Sequence, residues 1–297
     1  MVPSKVVVLG HTGFIGGALF EGLRRQSSHP VVGLSSAALD LTRRDEVASL
    51  KEVAGSDAVL IVASATRRRD DAPETYERNL AMLTNLADFL AGQPVRKCIY
   101  FSTASVYGDA ASNLAIDEQM PVAPASRYGA AKAQGEVLLR RAAEANGMSL
   151  VILRPCRVYG PGDARASYGP TQFLRSVLEQ GSVVLYGDGR ELRDHVFVED
   201  VARLVGRLVP SDLSGTYNVA TGSSHSYRHI LDVLRKVTSR SFGVSSAERT
   251  RPLIDQGFNI ARLRRALPDP RFTSLELGIR QTYLALATDS ERGKPLP

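Results

Sequence analysis

At 297 residues the chain can bury a full core, as one large domain or as a large and a small one. A hydrophobic fraction of 43% and a charged fraction of 23% exclude the disordered class, and no apolar run approaches bilayer-spanning length. The formal net charge of +6 comes from short, scattered arginine groups without aromatic interleaving, which argues against nucleic acid and fits an anionic small ligand. Two cysteines, Cys98 and Cys156, make no disulfide framework and belong to no metal-ligand spacing, so no metal is expected. Met1 to Gly10 lacks the apolar stretch of a signal peptide, and a cytoplasmic location is expected.

Lys5 to Leu9 is a β-branched run without alternation, the pattern of a parallel strand buried on both faces. It runs into Gly10-His11-Thr12-Gly13-Phe14-Ile15-Gly16-Gly17 and then a helix with Leu19 and Leu23 on one face. Val31 to Leu34 reads as a second strand, Thr42 to Val53 as a helix, and Ala58 to Ala63 as a third strand. Leu80, Leu83, Ala87 and Leu90 keep a helical face, and Lys97 to Phe101 is strand again. Ser126 is placed to cap a helix running to about Ala145, and Leu150 to Leu153 follows as strand.

Strands alternating with helices predict an α/β fold, a Rossmann-type doubly wound parallel sheet. From Pro155 glycine and proline become dense, and a smaller C-terminal α/β substrate domain is expected. The predicted division gives residues 1–155 to the dinucleotide-binding domain, with a returning segment at about 194–220, and residues 156–193 and 221–297 to the substrate domain. His195 to Val198 and Tyr217 to Val219 are the stretches able to return to the main sheet. Helices are expected at Tyr227 to Val237 and Leu275 to Ala287.

Three features carry chemistry. Gly10, Gly13 and Gly16 follow a buried strand and open a helix: the first permits a tight turn, the second lets a diphosphate approach the backbone, and the third allows close helix–strand packing. Tyr128 and Lys132 stand four apart on a helix, so both side chains leave one face. An ammonium beside a phenol favours the phenolate and brings its proton within reach of neutral pH. Thr103 lies at the carboxyl end of a predicted central strand, where ligands of open α/β sheets bind. Each feature alone is weak; together, in this order, they point to one crevice.

These stretches, with Ser102-Thr103-Ala104-Ser105-Val106-Tyr107-Gly108, resemble the extended short-chain dehydrogenase/reductase family, the NAD-dependent epimerase/dehydratase group acting on sugar nucleotides. Leu153 to Gly162, Tyr186 to Ala202 and Gly215 to Gly222 extend the resemblance over nearly the whole chain. The resemblance implies that Tyr128 is the acid/base, that Lys132 binds the nicotinamide ribose and tunes Tyr128, and that Thr103 orients the reacting oxygen. It places Gly10, Gly13, Phe14, Ile15, Gly16, Ser35, Asp40, Leu41, Ala63, Ser64 and Asn79 around the cofactor. Arg193 and Arg251 would hold the substrate, arginine suiting a diphosphate because its fork binds two oxygens at once, and Arg157, which stands where many relatives carry Asn, is a further substrate-binding candidate. Relatives of this kind are often dimers through a two-helix face, and a homodimer is expected by that analogy.

Two departures sharpen the reading. Val31-Val32-Gly33-Leu34 is followed by Ser35 and Ser36, with no acid to bind a ribose 2′-hydroxyl, and NADP(H) is expected ahead of NAD(H). Ala104 and Ser105 stand where 4,6-dehydratases of the family carry Asp-Glu, which argues against dehydration. A 4-ketoreductase of a nucleotide-linked hexose is therefore expected first, with a 4-epimerase as the alternative; a non-catalytic cofactor-binding protein ranks behind both, because Thr103, Tyr128 and Lys132 are all present.

Overall fold

The computed structural model describes residues 3–26, 29–66, 71–108, 112–164, 169–249 and 252–291. Val6–Leu9 (β1) is buried at every position. Val6 and Val8 pack on one face with Val59, Ile61, Ile99 and Val151, while Val7 and Leu9 pack on the other with Leu60, Val62, Cys98 and Tyr100. Two-sided burial of this kind explains the unbroken apolar runs. Phe14–Gln26 (α1) leaves the glycine turn and ends on Arg24 and Arg25, cations that complement the carboxyl end of a helix. Val31–Leu34 (β2) follows.

The stretch expected as one helix from Thr42 to Val53 is instead Arg44–Ala48 (α2) and Leu50–Val53 (α3). The break falls at Ser49, whose hydroxyl donates to the Glu46 carbonyl at 2.7 Å and competes with continued helix. Val59–Val62 (β3), Pro73–Gly92 (α4), Lys97–Phe101 (β4), Asn113–Ile116 (β5), Arg127–Asn146 (α5) and Ser149–Pro155 (β6) come next. Pro73 opens α4, where its missing N–H costs nothing. Gly147, at φ 65°, closes α5 in the left-handed conformation.

After Arg157–Tyr159 (β7) the chain forms Pro170–Gln180 (α6), Ser182–Tyr186 (β8), Leu192–Phe197 (β9), Val198–Leu208 (α7) and Gly215–Val219 (β10). Ser224–Ser226 (β11), Tyr227–Thr238 (α8), Gly243–Ala247 (β12), Gln256–Phe258 (β13), Ala261–Ala266 (α9) and Leu275–Glu291 (α10) complete the described elements.

Six strands form one parallel sheet in the order β10-β6-β4-β3-β1-β2. Helices α1 and α7 cover one face, and α4 and α5 the other. This is the doubly wound, Rossmann-like architecture expected, and its strand order reverses between β1 and β3, which places the ligand crevice at their carboxyl ends.

Only one of the two expected return segments joins this sheet. Tyr217 to Val219 lies in β10, beside β6. The segment containing His195 does not: β9 belongs to a second sheet, ordered β11-β9-β13-β5, with β7 also paired to β9. The place next to β6 is already filled by β10, and Asp194 on β9 is spent on Thr221 and Gly222 rather than on sheet burial. That second sheet also takes β5, which lies inside the residues 1–155 assigned from sequence to the first domain. A third core, of Phe173, Leu174, Val177, Val183, Leu185, Ile230, Leu231, Leu234, Ile279 and Leu286, sits between α6, α8, α10 and the parallel pair β8–β12.

At Gly16 the first turn of α1 lies close against the turn that follows β1. A Cβ there would lie 2.0 Å from the Gly10 carbonyl oxygen, an atom with no freedom to retreat. Gly16→Ala is expected to cost about 1–3 kcal/mol by overpacking, read as a lower urea midpoint with an unchanged slope.

Candidate functional site

The glycine turn closes by a bond from Gly13 N to Gly10 O at 3.0 Å and is tied to β2 by Gly10 N to Leu34 O at 2.8 Å. Gly10 has φ +84°, and a Cβ on it would meet Ser64 at 2.9 Å, so this residue lets β1 and the end of β3 close on each other. Gly13 is exposed, with only the Gly10 oxygen near its missing Cβ, and the amides of Phe14, Ile15 and Gly16 begin α1 there. An anion fits such an amino terminus, because its N–H groups have no partner within the helix. The residues present therefore fit a dinucleotide diphosphate.

Around this turn stand the other expected cofactor residues. Ala63 N donates to Leu9 O at 3.0 Å, holding the end of β3 against β1. Asn79 is buried and gives its amide group to Thr66 O and Thr75 O, each at 2.6 Å, while its oxygen accepts from Thr66 N at 2.9 Å. Its observed work is to clamp the loop after β3. Asp40 accepts from the Thr42 amide and hydroxyl, which with Arg78 hold its carboxyl below the usual range. Leu41 is buried beneath it. Ser35 is half-buried past β2. The arginines nearby are engaged: Arg43 with Asp45 and Glu46, Arg44 with Asp88.

At the end of β4, Thr103 caps the short 3-10 turn Ala104–Tyr107, its hydroxyl accepting from Ser105 N and lying 3.2 Å from Ser105 Oγ. Helix α5 packs its first turn on this one. A Cβ on Gly129 would sit 2.8 Å from Ser105 O, so glycine lets the Tyr128 turn come down beside Thr103. Ser126 caps α5 by accepting from Gly129 N at 3.0 Å. The Asp71 carboxylate also accepts from the amides of Arg127 and Tyr128, at 2.9 and 3.3 Å. An acid at an amino terminus opposes the helix dipole favourably; with no sequence neighbour on α5, it was not visible as a cap beforehand.

Lys132 is 2% exposed and donates from Nζ to Phe101 O at 2.7 Å. The ammonium lies 4.9 Å from the centre of the Tyr100 ring and 6.0 Å from that of Tyr128. Burial pulls this amine from 10.5 down to about 7. One turn further on, Glu136 is buried and accepts from Ser102 Oγ at 2.6 Å and from Arg154 Nε and Nη2 at 2.9 and 2.6 Å. Arg154 continues to Tyr107 Oη at 3.0 Å, and Tyr107 to Asn218 Oδ1 at 2.7 Å. None of these was singled out from sequence. The available signal was spacing: Glu136 follows Lys132 by four, on the face that Tyr128 and Lys132 already share.

Arg157 and Arg193 both reach the second sheet. Arg157, on β7, is half-buried and its Nε finds no partner. Arg193, on β9, is buried and bonded to Glu191 and to the Ile254 carbonyl, with Arg249 on the other Glu191 oxygen at 3.1 Å. Arg251, expected as a third substrate contact, lies outside the described residues. Among the described residues no metal-ligating cluster occurs, and no helix is long and apolar enough to cross a membrane.

Fold and site together define a doubly wound α/β protein with an anion-ready glycine turn and a hydroxyl–Tyr–Lys constellation at adjoining strand ends. The chain belongs to the NAD dependent epimerase/dehydratase family, whose model matches residues 6–220. It is 30% identical over 254 residues to a UDP-glucose 4-epimerase of Mycolicibacterium smegmatis, covering 76% of this chain and 80% of that one. Similarity to a GDP-6-deoxy-D-talose 4-dehydrogenase of Aggregatibacter actinomycetemcomitans is 25% over 249 residues, with coverages of 82% and 83%. Among solved structures, a UDP-glucose 4-epimerase of Thermus thermophilus in complex with NAD superposes with a TM-score of 0.83 at 27% identity, covering 95% of this chain and 98% of that chain.

The buried Lys132 makes stability depend on pH in a defined direction. Its amine titrates near 7 when folded and near 10.5 when unfolded, so between these values the unfolded chain binds more protons and stability rises with pH; below about 7 the burial penalty is felt in full. Lys132→Met removes this dependence. The melting temperature of the unaltered protein should therefore gain on that of the variant as pH is raised from 7 to 10.

Proposed function

We propose that this chain is a nicotinamide-dependent oxidoreductase of nucleotide-linked sugars, working as a 4-ketoreductase on a keto-hexose. What carries the reading is the convergence of Thr103, Tyr128 and Lys132 on the carboxyl end of β4, beside the glycine turn. The family and its sugar-nucleotide relatives supply the substrate class. Gly10, Gly13 and the first amides of α1 hold the diphosphate of the cofactor, and Lys132 holds its nicotinamide ribose. When bound, the reduced nicotinamide supplies a hydride to the carbonyl carbon.

The protein's own part is proton handling. Thr103 Oγ1 turns its proton from Ser105 Oγ to the substrate oxygen and fixes that oxygen beside Tyr128. Tyr128 Oη gives its proton to this oxygen as the carbonyl becomes a hydroxyl. Lys132, pinned by the Phe101 carbonyl, offsets the charge left on the phenolate. A phenol with its usual pKa near 10 needs that help to act at neutral pH. Arg157 and Arg193 attract the substrate diphosphate.

Epimerisation is the second reading, favoured by the NAD complex of the Thermus epimerase and by the Mycolicibacterium relative. It uses the same atoms, Tyr128 first taking the hydroxyl proton and later returning it. Ala104 and Ser105, in place of an acid pair, argue against dehydration.

Releasing and identifying the nucleotide held by the freshly purified protein separates the two. The reductase reading expects an empty site that takes up NADPH; tightly held NAD would sink it in favour of the epimerase. Tyr128→Phe should lower turnover by about 10²–10⁴-fold while cofactor affinity stays within about twofold, and unchanged turnover would remove the mechanism. NADP(H) is the proposed cofactor because Ser35 leaves room for a 2′-phosphate. Ser35→Asp should weaken NADPH by at least about tenfold, through repulsion between carboxylate and phosphate.

A further inference from the structure

His195 is 5% exposed, and among the described residues neither Nδ1 nor Nε2 has a hydrogen-bond partner. Its neighbours are aromatic: the rings of Tyr159 and Tyr227 lie edge-on at 6.4 and 6.3 Å between centres. Gly169, with φ +83°, presses close enough that a Cβ would come within 2.7 Å of Nε2. Packing alone would be served better by phenylalanine, since two buried ring nitrogens without partners cost free energy and return none.

The surroundings say what the nitrogens await. Along β9 alternate residues share a face, so Arg193 and His195 point together while Asp194 turns away to Thr221 and Gly222. In the register of β7 with β9, Arg157 stands opposite His195, on that same face. The Nε atoms of Arg157 and Arg193 are likewise buried without partners. Burial first, then the charge of Arg157, with smaller contributions from His225 on β11 and the Arg193 guanidinium, push the imidazole down to about 3. The nearby Arg193 backbone pulls the other way but makes no hydrogen bond of good geometry to the ring. The imidazole therefore enters the encounter neutral, with one donor and one acceptor. Orphaned donors from two arginines and one imidazole on one sheet face make a cradle for an anion.

We propose that His195 is a substrate-binding residue, donating a ring N–H to a phosphate oxygen of a nucleoside diphosphate held between Arg157 and Arg193. This deepens the sugar-nucleotide reading and rests on it. The other ring nitrogen is left as an acceptor for a hydroxyl of the same ligand. The cost of an unsatisfied imidazole in the free protein is recovered when the ligand arrives.

The test compares the unaltered protein with His195→Phe and His195→Asn, by calorimetric titration with UDP and with dTDP. His195→Phe should bind both at least about tenfold more weakly, keep its NADP(H) affinity, and melt no lower than the unaltered protein when free of nucleotide. His195→Asn, which retains a donor, should lose less affinity than His195→Phe. The proposal is overturned if His195→Phe holds UDP and dTDP within about twofold of the unaltered protein. It is equally overturned if that variant fails to fold, or loses melting temperature and NADP(H) affinity in parallel, since His195 then serves packing. Failure of the unaltered protein to bind either nucleotide would instead remove the sugar-nucleotide reading on which the proposal rests.

Discussion

The proposed catalytic end of the molecule hangs on a buried two-point ion pair. Arg154 on β6 meets both carboxylate oxygens of Glu136 on α5, and the remaining hydrogen bonds of the pair reach Ser102 at the end of β4 and, through Tyr107, Asn218 on β10. Three neighbouring strands and one helix are thereby referred to a single charged centre. Such a pair contributes little net stability when complete but is costly to break, because Arg154 alone is a buried, uncompensated charge and Glu136 would be left with the longer charge contact to Arg140 at 3.7 Å. Its value here is geometric. With Glu136 fixed, Lys132 one turn earlier meets the Phe101 carbonyl, and the Tyr128 turn before that packs beside the Thr103 turn.

The same helix, held at its middle by Glu136, is set at its amino end by Asp71 and Ser126, which satisfy its first amides from two separate loops. Rigidity on both sides of Tyr128 suits the acid/base role proposed for it, since small errors in the placement of such a group are expensive in rate. The arrangement also accounts for a tension at Lys132: the burial that positions the amine disfavours its charged form, and among the described residues the Phe101 carbonyl and neighbouring rings offset that in the free protein.

Much of this was legible in the chain. Unbroken apolar runs such as Val6–Leu9 announce strands covered on both faces, and the six-stranded parallel sheet follows from their alternation with helices. The glycine turn and the Tyr128–Lys132 spacing are local patterns, which sequence displays directly. What was hidden is long-range. His195 to Val198 has the look of a returning strand, but strand texture does not name its neighbour, and β10 holds the place beside β6. Ser49 broke a helix through a side-chain bond that propensity alone weighs too lightly. The bonds by which Asn79 fastens Thr66 and Thr75 were likewise not readable from its spacing. Spacing could place Glu136 on the face of Tyr128 and Lys132, but its partner Arg154, like the α5 amides that Asp71 caps, lies too far away in sequence for any spacing rule to reach.

The crossing of β5 into the second sheet has a consequence for the order in which the protein can be made. The six-stranded sheet has all its strands once Val219 has left the ribosome, and synthesis is slow beside the closing of such contacts. β5, encoded near residue 113, must wait for β13, which ends at Phe258. Throughout that interval a nascent chain carries a finished sheet beside an unpaired strand, an edge open to wrong partners. Shielding that edge until the last strands emerge is a task the finished fold no longer reveals.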